Sequence, residues 1–551
     1  VHFFRASREQ VADPMIEAAK SMAKALRRSA MPQPVQASSY TFRDIIEGGF
    51  LYVDKTRYLY DLIRYRKGVY FLARPRRFGK SLMISTLDEI FQGNRDLFRG
   101  LWLYESDYDW QTYPVVRIDF SRHQIRNVEE LEVRIQRHLT QIAQHYEITL
   151  DEGPFDIQLE DLILKLAKEK QVVILIDEYD KPILDNVEHL VEAQRIRDTL
   201  KSFYTTIKAM DAYIRFVFIT GISKFSRVGV FSSMNHLDDL TMDPRFATAL
   251  GITEDELVND FREHIDAFAK QEHLSTDQLL QNIREWYDGF CFVKDCQSVY
   301  NPFSTLQLFN KRNFSNYWFE SGTPTFLIKL LKEHQYPVEQ LEMLRLRELA
   351  FSTYEIESLS IVPLLFQTGY LTIKDYEADT QRYTLSYPNA EVEDAFLTHL
   401  LGAFSEQDHG LNEEYLWQLV DALHARDLDQ FFAILQIFFA NVPYDIQLRH
   451  EKYYQTIFYL IFKLMGWRID AEVRTNRGRI DAVIELANHI FLFEFKLDGG
   501  VDDALQQIVD NAYAERYRAK GKPVTLIGAN FDSRTRTIDG WKSKPDMMSG
   551  T

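Results

Sequence analysis

The chain has 551 residues, 46% of them hydrophobic and 26% charged, and a formal net charge of −17. That length exceeds a single core and predicts about three or four domains, while the composition excludes a disordered or low-complexity protein. The acidity excludes a chain coated in nucleic acid by electrostatics alone. From residue 445 onward, however, about 16 Lys/Arg face 15 Asp/Glu, so the C-terminal part escapes the acidic average. The two cysteines, Cys291 and Cys296, are too few for a disulfide framework or a four-cysteine zinc site, and two reduced thiols are expected. No run reaches the roughly 18 apolar residues that span a bilayer. No signal peptide is visible, no membrane partner is expected, and the cytoplasm is the expected compartment.

In chain order, residues 1–36 read as an N-terminal extension. It contains a short basic helix, Met15 to Arg28, whose neighbours Glu9, Asp13 and Glu17 argue against a targeting role. The stretch Val69-Tyr-Phe-Leu-Ala-Arg-Pro-Arg-Arg-Phe-Gly79-Lys80-Ser81 then predicts a strand, a Pro/Gly turn and the start of an apolar helix. Gly79-Lys80-Ser81 at such a junction is the second half of a phosphate-binding loop. Main-chain N–H groups and the helix start cradle phosphate oxygens, Lys80 reaches the terminal phosphates, and the Ser81 hydroxyl ligates Mg²⁺. Arg74 stands where the first Gly of the full pattern belongs. Arg76 and Arg77 crowd the same loop, either neutralising triphosphate charge, acting on a neighbouring subunit's nucleotide in a homo-oligomer, or solvating the turn.

Strands are then expected at Pro114–Ser121, Gln171–Asp177 and Ile214–Thr220, separated by helices, which predicts a doubly wound α/β parallel sheet. The apolar run ending Ile-Asp177-Glu178-Tyr-Asp180 reads as a central strand tipped with acids, where ligands of open α/β sheets sit. Asp177 is the candidate Mg²⁺ acid, and Glu178 the candidate base that deprotonates the attacking water. Thr220 and Ser223, at the tip of the following strand, are candidate γ-phosphate sensors or simply satisfied strand-end hydroxyls.

Tyr52-Val-Asp-Lys-Thr56, Arg74-Pro-Arg-Arg-Phe-Gly-Lys-Ser81, Asp177-Glu-Tyr-Asp-Lys-Pro182 and Thr220-Gly-Ile-Ser-Lys-Phe-Ser226 together resemble the predicted AAA-ATPase-like family. The resemblance runs from about residue 37 to about 545. It implies an ATPase ahead of a PD-(D/E)XK nuclease-like domain, and a phosphate loop in which Arg74 is the family's own feature. The corresponding domains are 37–250 for the ATPase, 251–410 for a helical lid and winged-helix-like region, and 411–551 for a helical bridge and the nuclease-like domain.

Beyond residue 250 the motifs Trp286–Phe290, Val299–Ser304 and Tyr317–Pro324 resemble family motifs and read as lid and packing loops. Leu364–Ile373 and Arg382–Tyr387 alternate like a hairpin behind a helix, the pattern of a winged-helix module used as a spacer. The apolar run Phe431–Ala440 suits a buried helix. The last domain opens with a helix from Glu451, followed by strands Arg468–Thr475, Arg479–Leu486 and Ile490–Lys496. Residues i and i+2 of a strand share a face, so Glu494 and Lys496 point the same way. If Asp481 lies beside them, two carboxylates and an ammonium converge, a grouping suited to phosphodiester hydrolysis. Asp481 and Glu494 would hold Mg²⁺ and Lys496 would position the water. Gly478-Arg-Ile-Asp481 with Glu494-Phe-Lys496 resembles the PD-(D/E)XK signature, with Glu472 and Gln507 as the accessory residues such domains often carry.

The function expected is therefore an ATP-hydrolysing protein whose nucleotide state controls a Mg²⁺-dependent nuclease domain acting on nucleic acid, DNA above RNA. The alternative is a nucleotide-dependent switch or scaffold whose C-terminal domain binds without cutting.

Overall fold

The computed structural model describes residues 32–224, 230–231, 234, 236–320, 325–334, 336–352, 360–442, 451–468, 472–475, 481–510, 514–518 and 520–546. The N-terminal basic helix, Phe225 and Ser226, the end of the Tyr317–Pro324 motif and Gly478–Ile480 lie outside these residues. The chain divides into two compact units. The first holds residues up to Gly221, Val230–Asp288 and Gln297–Ser315; the second holds Ile222–Gly229, Gly289–Cys296 and Asn316–Thr551.

In the first unit β1 (Gly68–Ala73), β2 (Val115–Asp119), β3 (Val172–Asp177), β4 (Ile214–Gly221) and the short β5 (Asp238–Asp239) form one parallel sheet in the order β2-β3-β4-β1-β5. β3 and β4 are buried along their whole length, because crossover helices cover both faces of the sheet. The order places β1 and β3 on either side of β4, so the phosphate loop and the acid-tipped strand end at the same edge of the core. The helices from Glu254 to Lys311 belong to this unit, beyond the boundary expected at residue 250. Pairing of Ile252 with Tyr300, and a 2.7 Å ion pair from Lys55 to Glu256, tie them to the sheet domain.

The second unit contains a helical middle with a three-stranded antiparallel sheet, β6 (Leu344–Leu346), β7 (Thr372–Glu377) and β8 (Arg382–Ser386), in the order β6-β8-β7. The expected hairpin starts late. Ile361–Thr368 is a helix, closed by Gly369 in the left-handed conformation (φ 91°), and only from Thr372 is the chain extended. An unbroken apolar run fits a buried helix as well as a strand, and burial decided for the helix. Cys291 and Cys296, expected as separate thiols, are joined as a disulfide, since a tight turn brings their Cα atoms to 6.0 Å.

The C-terminal sheet runs β13-β12-β11-β10-β9, from β9 (Glu472–Thr475), β10 (Asp481–Glu485), β11 (Ile490–Leu497), β12 (Val524–Asp532) and β13 (Thr537–Pro545). β11 and β12 are parallel and the other pairs antiparallel. Alternation along β11 separates two faces. Phe493 and Phe495 pack on Phe462 and Phe458 of the helix Glu451–Arg468 (ring centroids 5.1 and 4.6 Å), whereas Ile490 and Leu492 join Leu505 and Ile508 of the helix Val501–Asp510. Among the described residues no helix is long and apolar enough to cross a membrane.

Candidate functional site

β1 delivers the chain into the phosphate loop, and two left-handed residues, Arg77 (φ 65°) and Gly79 (φ 90°), turn it into the helix Lys80–Phe91. Lys80 folds back into this loop. Its ammonium donates to the carbonyls of Arg74 (3.0 Å) and Pro75 (2.9 Å), and the side chain is buried. Burial pulls the Lys80 pKa down; the carboxylates of Glu178, Asp177 and Asp180 hold it up, and Arg76 opposes them. The ammonium therefore sits in the field of the three acids that end β3.

Asp177 closes β3, is buried, and accepts a 2.6 Å hydrogen bond from the Thr220 hydroxyl of β4. Thr220, read as a phosphate sensor or a satisfied hydroxyl, orients the candidate Mg²⁺ acid. Glu178 takes the left-handed conformation (φ 50°), unusual for a residue with a side chain, and the next amide, Tyr179, donates to the Thr220 carbonyl at 2.9 Å. Burial raises the Glu178 pKa, against the pull of Lys80. Gly221 completes the turn: a Cβ there would lie 2.6 Å from the Tyr179 ring and 2.7 Å from an Asp180 carboxylate oxygen. Ser81 follows Lys80 and is partly exposed. Its hydroxyl and the Asp177 carboxylate are hard oxygen donors of the kind Mg²⁺ takes.

The arginines divide the work. Arg74 is buried and donates to the carbonyls of Thr241 (2.8 Å) and Phe246 (3.1 Å), and burial lowers its pKa to about 9. It braces the loop from behind, at the position where the full motif has Gly. Arg76 and Arg77 are exposed, and the Arg77 guanidinium lies 4.7 Å over the ring of Phe303. Ser223 is buried.

Sequence reasoning missed the space beside the loop. A cavity of about 110 Å³, lined chiefly by apolar side chains, opens next to Gly79 between Tyr52, Val53, Met83, Leu250, Pro302 and Leu306. Its walls come from the Tyr52–Thr56 and Val299–Ser304 motifs, so those motifs were the available signal. An apolar cavity contiguous with a phosphate loop suits a nucleotide base.

In the C-terminal sheet the antiparallel register of β10 and β11 sets Asp481 opposite Glu494. Opposed positions belong to one face of a sheet, here the face that carries Lys496. Glu494 is buried, and the Lys496 ammonium is 3.4 Å from its carboxylate and also contacts the Gln507 side-chain oxygen. Gln507 reaches so far because the helix Val501–Asp510 lies directly on β12: a Cβ at Gly528 would be 2.8 Å from the Leu505 nitrogen. Glu472 is displaced from this group, since the register pairs it with Glu485, four residues along β10 from Asp481. Two carboxylate positions suit a hard divalent ion; no group of three or more metal-ligating side chains occurs among the described residues.

Residues 37–231 match the family described as predicted AAA-ATPase, and residues 449–541 match the PD-(D/E)XK nuclease superfamily. The chain is also 38% identical over 530 residues to an uncharacterized protein in the vnfD 5′ region of Azotobacter chroococcum mcd 1, covering 94% of this chain and 99% of that one.

Proposed function

The chain belongs to the predicted AAA-ATPase-like family and carries a PD-(D/E)XK nuclease superfamily domain at its C-terminus; on that basis we propose that ATP binding and hydrolysis in the first unit control Mg²⁺-dependent cleavage of nucleic acid, DNA above RNA, by the last domain. The observation that carries the first half is the buried Lys80 ammonium in the field of Asp177, Glu178 and Asp180. Lys80, now bonded to the carbonyls of Arg74 and Pro75, would hold phosphate oxygens of ATP. Ser81 and Asp177 would hold Mg²⁺, with Thr220 fixing the Asp177 carboxylate, and Arg76 adds positive charge at the loop. Glu178, whose raised pKa makes it a better proton acceptor than an ordinary carboxylate, takes the proton of the attacking water.

In the last domain Asp481 and Glu494 would hold the second Mg²⁺, while Lys496, steadied by Gln507, orients the water and offsets charge on the cleaved phosphate. A bound divalent ion supplies Lewis-acid polarisation of the phosphate in both places. The test is a cleavage assay of the full chain on DNA and RNA with Mg²⁺, with and without ATP. The wild type should cut in an ATP-dependent manner, Lys80→Ala should lose that dependence, and Glu494→Ala should not cut. Absence of cleavage on every substrate, with ATP changing only the mass in solution, would reject the nuclease and leave a nucleotide-dependent switch.

A further inference from the structure

The first unit carries an exposed surface of alternating aromatic rings and arginines that the nucleotide site does not use. The turn Trp102–Glu105 packs on the helix Thr56–Ile63, fixed by bonds from the Trp102 amide to Asp54 (2.6 Å) and from the Leu103 amide to the Thr56 hydroxyl (3.0 Å). This brings Tyr60 edge-on to Trp102, with ring centroids 5.3 Å apart, and sets the Arg57 guanidinium 5.9 Å over the indole. One turn further, Arg64 lies 4.9 Å over Tyr65, and within the turns Arg95–Phe98 and Trp102–Glu105, Arg95 lies 4.6 Å over Tyr104. Trp102 is 43% and Tyr65 56% exposed, although rings of that size are normally covered.

We propose that this surface binds unpaired bases of a single-stranded nucleic acid by stacking, as a contact separate from the C-terminal domain to which the function above assigns the substrate. Three observations favour that partner. From Tyr52 to Lys67 the chain carries five Lys/Arg against two Asp, in a protein whose net charge is −17. Asp54 is engaged by Thr56 and Trp102, while Lys55 is taken by Glu256 and Lys67 by Asp211, which leaves Arg57, Arg64 and Arg66 with Asp61 on the outward face. Guanidiniums resting on rings present flat, polarisable faces to a base, and a duplex hides its base faces where a single strand exposes them. Asp61, 3.5 Å from Arg64, Asp107, bonded to Tyr60, and the exposed Glu105 and Asp109 offset the cations, so binding should depend on stacking more than on counterion release and its salt slope should be shallow.

The probe is a labelled 20-mer of dT titrated with the full chain in EDTA, which prevents cleavage and isolates binding. Trp102→Leu and Tyr65→Leu should each weaken binding about tenfold, and Trp102→Phe should restore most of the loss. An oligonucleotide bearing 5-iodo-dU should crosslink to residues 100–110. If Trp102→Leu fails to fold, Tyr65→Leu and Arg57→Gln carry the same measurement. Unchanged affinity in the folded variants, with crosslinks confined to residues 449–541, would overturn the proposal. So would equal loss of duplex binding, which would make the surface a backbone contact, or an altered mass in solution with oligonucleotide binding intact, which would make it a protein contact. Because the assay needs neither ATP nor cleavage, its failure is distinct from failure of the proposed activities.

Discussion

The two charged sites of this protein hold a lysine in opposite ways. Lys80 is buried, gripped by two main-chain carbonyls and faced by three acids at the end of a parallel sheet. Lys496 keeps 28% of its side chain exposed and meets one carboxylate and one amide side chain on the face of a mixed sheet. The first arrangement is built by turns, Arg77, Gly79 and Glu178 all being left-handed; the second is built by strand register. A site made by turns stores its geometry in a few backbone angles and tolerates little added volume. A site made by register depends on pairing along whole strands, and its side chains are individually replaceable without collapse.

Four substitutions put that contrast to the test. Glu178→Gln should lower kcat for ATP hydrolysis by about a hundredfold or more while leaving nucleotide binding intact, measured by phosphate release and by equilibrium binding. The same variant tests burial. The Glu178 pKa is raised above its ordinary 4.5, so the folded state favours the protonated form and the wild type loses stability as pH rises through the window above about 4.5. Glu178→Gln should therefore melt higher than wild type at pH 8 and together with it at pH 4. Lys496→Ala should reduce cleavage by about a hundredfold and also lower the melting temperature, because buried Glu494 loses the ammonium 3.4 Å from its carboxylate. Gly221→Ala should destabilise by about 1–3 kcal/mol, read as a lowered unfolding midpoint, because its Cβ meets the Tyr179 ring. Gln507→Ala, which frees Lys496 without removing it, should cost about tenfold in cleavage at most, and equal losses for Gln507→Ala and Lys496→Ala would argue that Lys496 acts only through its position.

Legibility in the sequence followed the same division. The strand–loop–helix around Lys80 was readable because all its parts are contiguous and each has a distinct local chemistry. β3 was readable as an unbroken apolar run and β4 as an apolar run from Phe216 to Ile219, since strands covered on both faces admit little else. The segment Leu364–Thr368 was not: it reads as the start of the alternating stretch that ends at Ile373, yet its three consecutive apolar residues fit the end of a buried helix equally well. Arg74 illustrates a different limit: an arginine in a phosphate loop suggests a ligand contact, yet its partners, Thr241 and Phe246, lie about 170 residues away and turn it into a brace.

The order of elements, the phosphate loop and the residue types at both charged sites were determined by the sequence alone, because each rests on local propensity, alternation or a short motif. Only the tertiary structure decided that Asp481 stands opposite Glu494 while Glu472 does not, that Phe303 takes Arg77, and that Trp102 completes an exposed aromatic surface with Tyr60. Those relations join residues distant in the chain, and register and packing, which no single stretch encodes, set them.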